Sequence, residues 1–204
     1  MADKISLTQA VRGNLLSLQR TSTSIDQTQT RLSTGLRVSS AIDDAAAFFT
    51  ARAFDNRASD LESLKSNIDL AISTIQAGID GIDSISDLVQ QAKGIASAAK
   101  ATGDTNERST LAVQFNELLS QVNSIANDST FNGLNLLQAS PDNLAVEFNE
   151  DNTSNLTITG LDATTATSGI NIAVAANNFG LNANIDTALT AISSALVTLR
   201  SNAS

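Results

Sequence analysis

The sequence predicts a mainly α protein, a long antiparallel helical bundle of coiled-coil character with a small β-hairpin region. Three observations predict it. Apolar residues recur in alternating steps of three and four over most of the 204 residues, the signature of helices that share a seam. The core must be aliphatic, because aromatics make up only 3% and Trp and Tyr are absent, a composition suited to long packed helices. The period changes to two in one short stretch, around Leu144–Phe148 and Leu156–Ile158, which is the pattern of a hairpin.

The first segment, residues 1–42, reads as an N-terminal helical arm. Val11, Leu15, Leu18, Ser22, Ile25, Gln29 and Leu32 form its seam, and five of those seven positions are apolar. Ser and Thr at 21–24, 28 and 30 are weak helix formers. Such an arm is marginal alone and needs a partner helix to become ordered. Gly35 stands where a helix stops. Ser40 with Asp43 then reads as an N-cap followed by a first-turn acid, favourable to the helix dipole. The pair Asp43-Asp44 could also suggest catalytic carboxylates, but no base or metal ligand stands near it, so capping is the better reading.

Residues 43–140 read as a long helix and its return helix. Phe54, Leu61, Leu64, Ile68, Ala71, Ile75 and Gly78 begin a seam that runs on through Ile82, Ile85, Val89, Ala92, Ala96 and Ala99. A helix over 54–99 would span about 70 Å at 1.5 Å per residue, and it cannot bury that face in itself. Gly78 and Gly81 imply either a bend or a close approach of helices. A reversal at 101–105 leads to the return helix, with Leu111, Phe115, Leu118, Val122 and Ile125 as its seam, making an αα-hairpin. Asn132-Gly133 is a turn. Residues 141–184 hold the β-hairpin and a loop, with Ile170, Ile172 and Val174 as a weak alternating stretch. Residues 185–204 restart a heptad (Ile185, Leu189, Ile192, Leu196, Leu199) and read as the start of a C-terminal helix cut short at Ser204.

Composition removes several functions. With no His and no Cys, the commonest general base, the commonest metal ligand, thiolate chemistry and disulfides are all excluded. No cofactor site is legible. The acidic linker 149–155 lacks the ligand spacing of a Ca²⁺ loop and reads as a solvated hairpin loop. The Asn-x-Ser/Thr triplets at Asn127, Asn152, Asn155 and Asn202 are expected by chance in so Asn- and Thr-rich a chain. Net charge is −9 and uneven: residues 1–52 hold six bases against four acids, the remainder six against seventeen. A slightly basic arm preceding an acidic body reads either as attraction between copies or as a solubilising surface with no partner meaning. Few, scattered bases and almost no aromatics argue against nucleic acid. No apolar run approaches the length that crosses a bilayer, and no secretory signal is visible at the start, so any export would use an uncleaved route.

The stretch Leu32-Ser33-Thr34-Gly35-Leu36-Arg37-Val38-Ser39-Ser40-Ala41-Ile42-Asp43-Asp44-Ala45-Ala46 resembles the N-terminal signature of bacterial flagellin. Asn123 to Gly133 resembles the family's segment at the end of the return helix, and Asp186 to Asn202 the start of its C-terminal helix. Ala41 and Ala45 stand where the related hook-filament junction proteins place Pro, which favours the filament subunit over a junction protein. A secreted flagellin-like adhesin is the other alternative, and its binding function would sit in 141–184. Two departures stand out. There is no room for the family's large variable domain, and the family's chain continues past this end into a helix that pairs with the N-terminal arm. The sequence is therefore expected to be a truncated short form.

The resemblance implies a self-assembling, non-enzymatic subunit of the extracellular flagellar filament, exported through the flagellar type III channel. Its partners would be other copies, an export chaperone, the filament cap protein and the hook-filament junction protein, with no nucleic acid and no membrane. The resemblance also implies that Val11, Leu15, Leu18, Ile25 and Leu32 face the filament core. Some members are recognised by an innate immune receptor through the region matching Leu88–Ala96. Receptor-competent members place an Arg near Gln90 or Gln91 and a bulkier residue near Gly94, beside Ile95. Weak or absent recognition is therefore expected here.

Overall fold

The computed structural model describes residues 8–203. Asp3, Lys4 and Ser204, which entered the reading above, lie outside the described residues. The chain divides into two compact units, Met1–Asp60 and Leu61–Ser204. The elements are α1 (Gln9–Thr34), α2 (Ala45–Ala101), α3 (Thr105–Asp128), β1 (Thr130–Phe131), β2 (Leu134–Asn135), β3 (Asn143–Glu147), β4 (Asn155–Thr159) and α4 (Asn182–Asn202). Helix α2 starts nine residues before Phe54, the first residue of its apolar seam, because the Ala-rich opening of the helix propagates readily without any core to face.

The second unit is a helical bundle. Its core joins Ile82, Ile85, Val89, Ala92, Ala96 and Ala99 of α2 to Phe115, Leu119 and Val122 of α3 and to Ile185, Ile192 and Leu199 of α4. Three residues separate α2 from α3. Asp104 starts the return helix by accepting a hydrogen bond from the Asn106 N–H at 2.8 Å. At that same end Lys100 meets Asp186 at 2.5 Å, and Arg108 donates to Asn182 at 2.7 Å. At the other end Asn202 shares a cavity with Ile75 and Gly78. Helices α3 and α4 therefore both run antiparallel to α2.

Ala92, Ala96 and Ala99, the last seam positions of α2, are fully buried in this core. The return helix differs from its reading. Ala112, Phe115, Leu119, Val122 and Ala126 are its buried face, while Leu111, Leu118 and Ile125 flank the core half-buried. The core face is centred one residue further on because α3 is covered on two sides, by α2 and by the segment after β4.

That segment is not a strand or a loose loop. Ala163, Ile170, Ile172, Ala175 and Phe179 all enter the core, Val174 points to solvent, and the edge of the Phe179 ring meets Phe115 with centroids 5.1 Å apart. A ladder of polar side chains on α3 holds the segment in place. Asn123 bonds Thr165 through backbone and hydroxyl, Asn116 accepts from the Ala175 N–H at 2.8 Å, and Arg108 reaches Asn182. The order 123–165, 116–175, 108–182 shows the segment running back along α3.

Below the bundle, Asn132 and Gly133 both adopt positive φ, the geometry of a two-residue hairpin turn, and join β1 to β2. Strands β3 and β4 pair antiparallel with Leu144 opposite Ile158 and Val146 opposite Leu156. Leu144 and Val146 pack with Leu136 onto Ala71 of α2. Asn135, 3% exposed, ties this region to α3. Its amide donates to the carbonyls of Ala126 and Asn127, both at 2.9 Å, and accepts from the Leu137 and Gln138 N–H groups. It thus satisfies the carbonyls left open at the end of α3.

The two α2 glycines separate in role. A Cβ on Gly81 would lie 2.5 Å from Ser129 Oγ and 2.6 Å from Leu137 Cδ1, so Gly81 marks a close approach. A Cβ on Gly78 would meet nothing nearer than 3.5 Å. We expect Gly81→Ala to destabilise the bundle by about 1–3 kcal/mol through overpacking. Gly78→Ala should be neutral or stabilise it by up to about 1 kcal/mol, from helix propensity. Urea unfolding followed by circular dichroism decides this, and equal effects of the two substitutions would refute it.

Candidate functional site

Helix α1 has 26 residues and none is buried. Its sequence-predicted stripe stands open, with Val11 46%, Leu15 50%, Leu18 69%, Ile25 50% and Leu32 85% exposed. The threonines that weaken its propensity are satisfied inside the helix. The hydroxyls of Thr21, Thr23, Thr28, Thr30 and Thr34 each donate to the carbonyl four residues earlier, the back-bonding available to Ser and Thr in helices. Polar groups of the arm thus ask nothing of a partner, and its unmet requirement is apolar burial. Gly35 ends the helix at φ 70°, its N–H donating to the Arg31 carbonyl.

The turn after Gly35 is organised by two carboxylates, and the arrangement corrects the expected cap. Asp44, not Ser40, caps α2. Its carboxylate accepts from the Ala47 N–H at 3.0 Å and its carbonyl accepts the first helical bond, from Phe48. Ser40 lies too far upstream, because the helix begins at Ala45. Asp43 instead pins the turn: one of its oxygens accepts from the N–H and hydroxyl of Ser39 and from the N–H and hydroxyl of Ser40, at 3.0–3.2 Å. These bonds, led by the Ser39 N–H and then its hydroxyl, hold the Asp43 carboxyl below its usual range. Every one of the four donors favours the charged form.

The structure also exposes apolar residues outside the predicted seams, Leu36, Ile42 (96% exposed) and Phe49, and leaves Phe54, the first seam residue of α2, exposed as well. Bulky apolar side chains in and just after a turn, with no second apolar run beside them, were the available signal. Of the expected receptor-facing residues, Gln90, Gln91 and Gly94 are exposed and Ile95 is half-buried. Gln91, Gly94 and Ile95 border a groove of about 470 Å³ shared with Gln114, Glu117, Leu118 and Gln121 of α3. Among the described residues no group of three or more acids could hold a metal ion, and no helix is long and apolar enough to cross a membrane.

Residues 5–142 match the model of the bacterial flagellin N-terminal helical region. The chain belongs to the bacterial flagellin family. It is 31% identical to flagellin FljO of Caulobacter vibrioides over 197 residues, 92% of this chain and 71% of that protein. It is 30% identical to the flagellin of Aquifex aeolicus over 159 residues, 78% of this chain and 31% of that one. The crystal structure of Bacillus cereus flagellin shares the fold at a TM-score of 0.56 and 16% identity, over 68% of this chain and 78% of that one. Flagellins are structural proteins that self-assemble into the extracellular flagellar filament, and this chain is a filament subunit. The junction and adhesin alternatives are not favoured.

In this flagellin the Asp43 turn carries an acid dependence. Its carboxyl is lowered in the folded state. The stabilisation is therefore complete above the unfolded carboxyl's pKa of about 4 and is lost as pH falls through the lowered value. Tryptic cleavage after Arg37 in chains pre-equilibrated in acid and pulse-digested should accelerate below about pH 4. Asp43→Asn should show fast cleavage at every pH, and a pH-independent wild type would refute the assignment.

Proposed function

We propose that this flagellin assembles by burying the α1 stripe of Val11, Leu15, Leu18, Ile25 and Leu32 against helices of neighbouring copies. One observation supports the reading above all: a 26-residue helix that buries nothing and lines up five open apolar side chains. Covering each contributes roughly 1.5–3 kcal/mol, so five contribute on the order of 10 kcal/mol before ordering entropy is subtracted. Polymerisation then orders the arm, and head-to-tail contacts that do not close produce a helical filament. A marginal arm also suits passage through the export channel in extended form, without a cleaved signal. An export chaperone, the cap protein and the junction protein are the partners this route requires.

The same reading leaves no catalytic role. No His or Cys is available, and the one acidic pair singled out in the sequence holds a turn and a helix cap. Ser40 and Asp43 keep a structural part in it, as the turn from which the arm departs.

Under assembly conditions this flagellin should form filaments visible by negative-stain microscopy. Leu15→Asp with Ile25→Asp should abolish them while the thermal unfolding of the body is unchanged. Regular filaments from the double variant would overturn the stripe as the interface.

At the Gln90, Gln91, Gly94 and Ile95 surface we propose weak or absent innate receptor recognition, since the groove there presents amides and a glycine gap where a basic side chain would be needed. A robust response of receptor-reporter cells to the purified protein would sink this.

A further inference from the structure

We propose that the groove between α2 and β3 receives the aromatic knob at the start of α2 from a second copy of this chain. The inference rests on the filament-subunit reading and names a contact separate from the α1 stripe. The groove is built in the second unit. Leu70, Ala71, Leu134, Leu144 and Val146 line it together with the polar Asn67, Thr74, Asn132 and Glu147, and its volume is about 320 Å³. A cavity of about 150 Å³ holds a benzene ring, so this one accepts a phenyl ring with space for an alkyl side chain beside it. Leu144 and Val146 are buried, yet Leu70 is 42% exposed, so the groove has an apolar floor and an uncapped wall.

The occupant is argued from shape and charge. Phe48 and Phe49 form an edge-on pair with centroids 5.6 Å apart at 78°, a preorganised knob, and Phe49 remains 63% exposed. Ile42 is open beside it in sequence. Arg52 shares a helix face with Phe49, three residues on, and Arg37 precedes the same turn. The unit that offers the groove is strongly acidic: residues 61–204 hold fifteen Asp and Glu against five Lys and Arg. Glu147 lines the groove and Asp69 adjoins Leu70 on α2. Asp43, Asp44 and Asp55 also stand near the knob, so the charge match is one between units: residues 1–60 hold seven bases against six acids, and the groove's unit five against fifteen. Copies that each carry a net −9 repel unless such opposite patches meet.

The chain has no cysteine, so single-cysteine variants report contacts cleanly. Mixing Ala53→Cys with Ala145→Cys under mild oxidation should yield disulfide heterodimer at least fivefold above the control mixture of Ala53→Cys with Ala173→Cys. Adding Phe49→Ser to the Ala53→Cys chain should return the yield to the control level. Because Phe49 is exposed, that variant should keep the wild-type circular dichroism. Raising NaCl should lower the yield, as screening of that charge match requires. Equal yields from the two mixtures, or a yield indifferent to Phe49→Ser, would overturn the proposal. Leu15→Cys homodimers formed alongside an uncrosslinked Ala53/Ala145 pair would reject the groove and leave arm-driven assembly standing. Absence of both in chains that have assembled into filaments would reject the two together.

Discussion

One face of α2 governs the body of this molecule. From Gly78 to Ala99 the seam positions are fully covered, and they taper from isoleucine and valine to alanine. A helix has no way to shelter such a face alone. The chain answers by laying α3 and α4 antiparallel along it. Beside Gly81, the side chains of Ser129 and Leu137 occupy the space a methyl group would need. Dispersion contacts at this density are individually small and collectively large, so the seam fixes the register of everything attached to it.

The polar groups of the body are arranged around that seam. A segment of more than twenty residues returns along α3 with only a short 3₁₀ turn at Ala176–Phe179, and its backbone still needs partners. Asn116 and Asn123 supply two of them, and Arg108 ties down the start of α4. Asn135 does the corresponding work at the lower end of α3. No buried side-chain polar atom among the described residues is left without a partner. The core is thus aliphatic inside and fastened by amides at its margins, with charge pairs confined to the surface, where they contribute little.

Much of this was legible in the sequence, for physical reasons. The helix end at Gly35, the reversal at 102–104, the Asn132-Gly133 turn and the β3–β4 alternation all follow from local chemistry that few tertiary contacts can override. The α1 stripe was legible because a heptad survives there despite poor propensity. Other features were hidden. Two of the five buried α3 residues are alanine, a residue that gives little hydrophobic signal, so Leu111, Leu118 and Ile125 looked more central than they are. Ser40 resembled a cap because the start of α2 at Ala45 is set by backbone propensity before any seam begins. In the 161–184 segment the loop reading and the burial of Ile170 and Ile172 were legible, but Val174 is exposed and the buried Ala163, Ala175 and Phe179 gave no pattern. The segment's buried residues follow the surface of α3 and α4, and as a set they carry neither the period of a helix nor that of a strand.

The row of threonines in α1 has a mechanical consequence. Hydroxyls that bond back to the preceding turn soften and bend a helix locally. At 100° per residue, Thr21 and Thr28 fall on one side of α1, while Thr23, Thr30 and Thr34 fall nearly opposite. Their curvatures oppose one another, so the rod stays straight at rest while its bending stiffness drops on both sides. The softening is confined to the half of α1 from Thr21 to Thr34, spread over several turns and not gathered at one hinge.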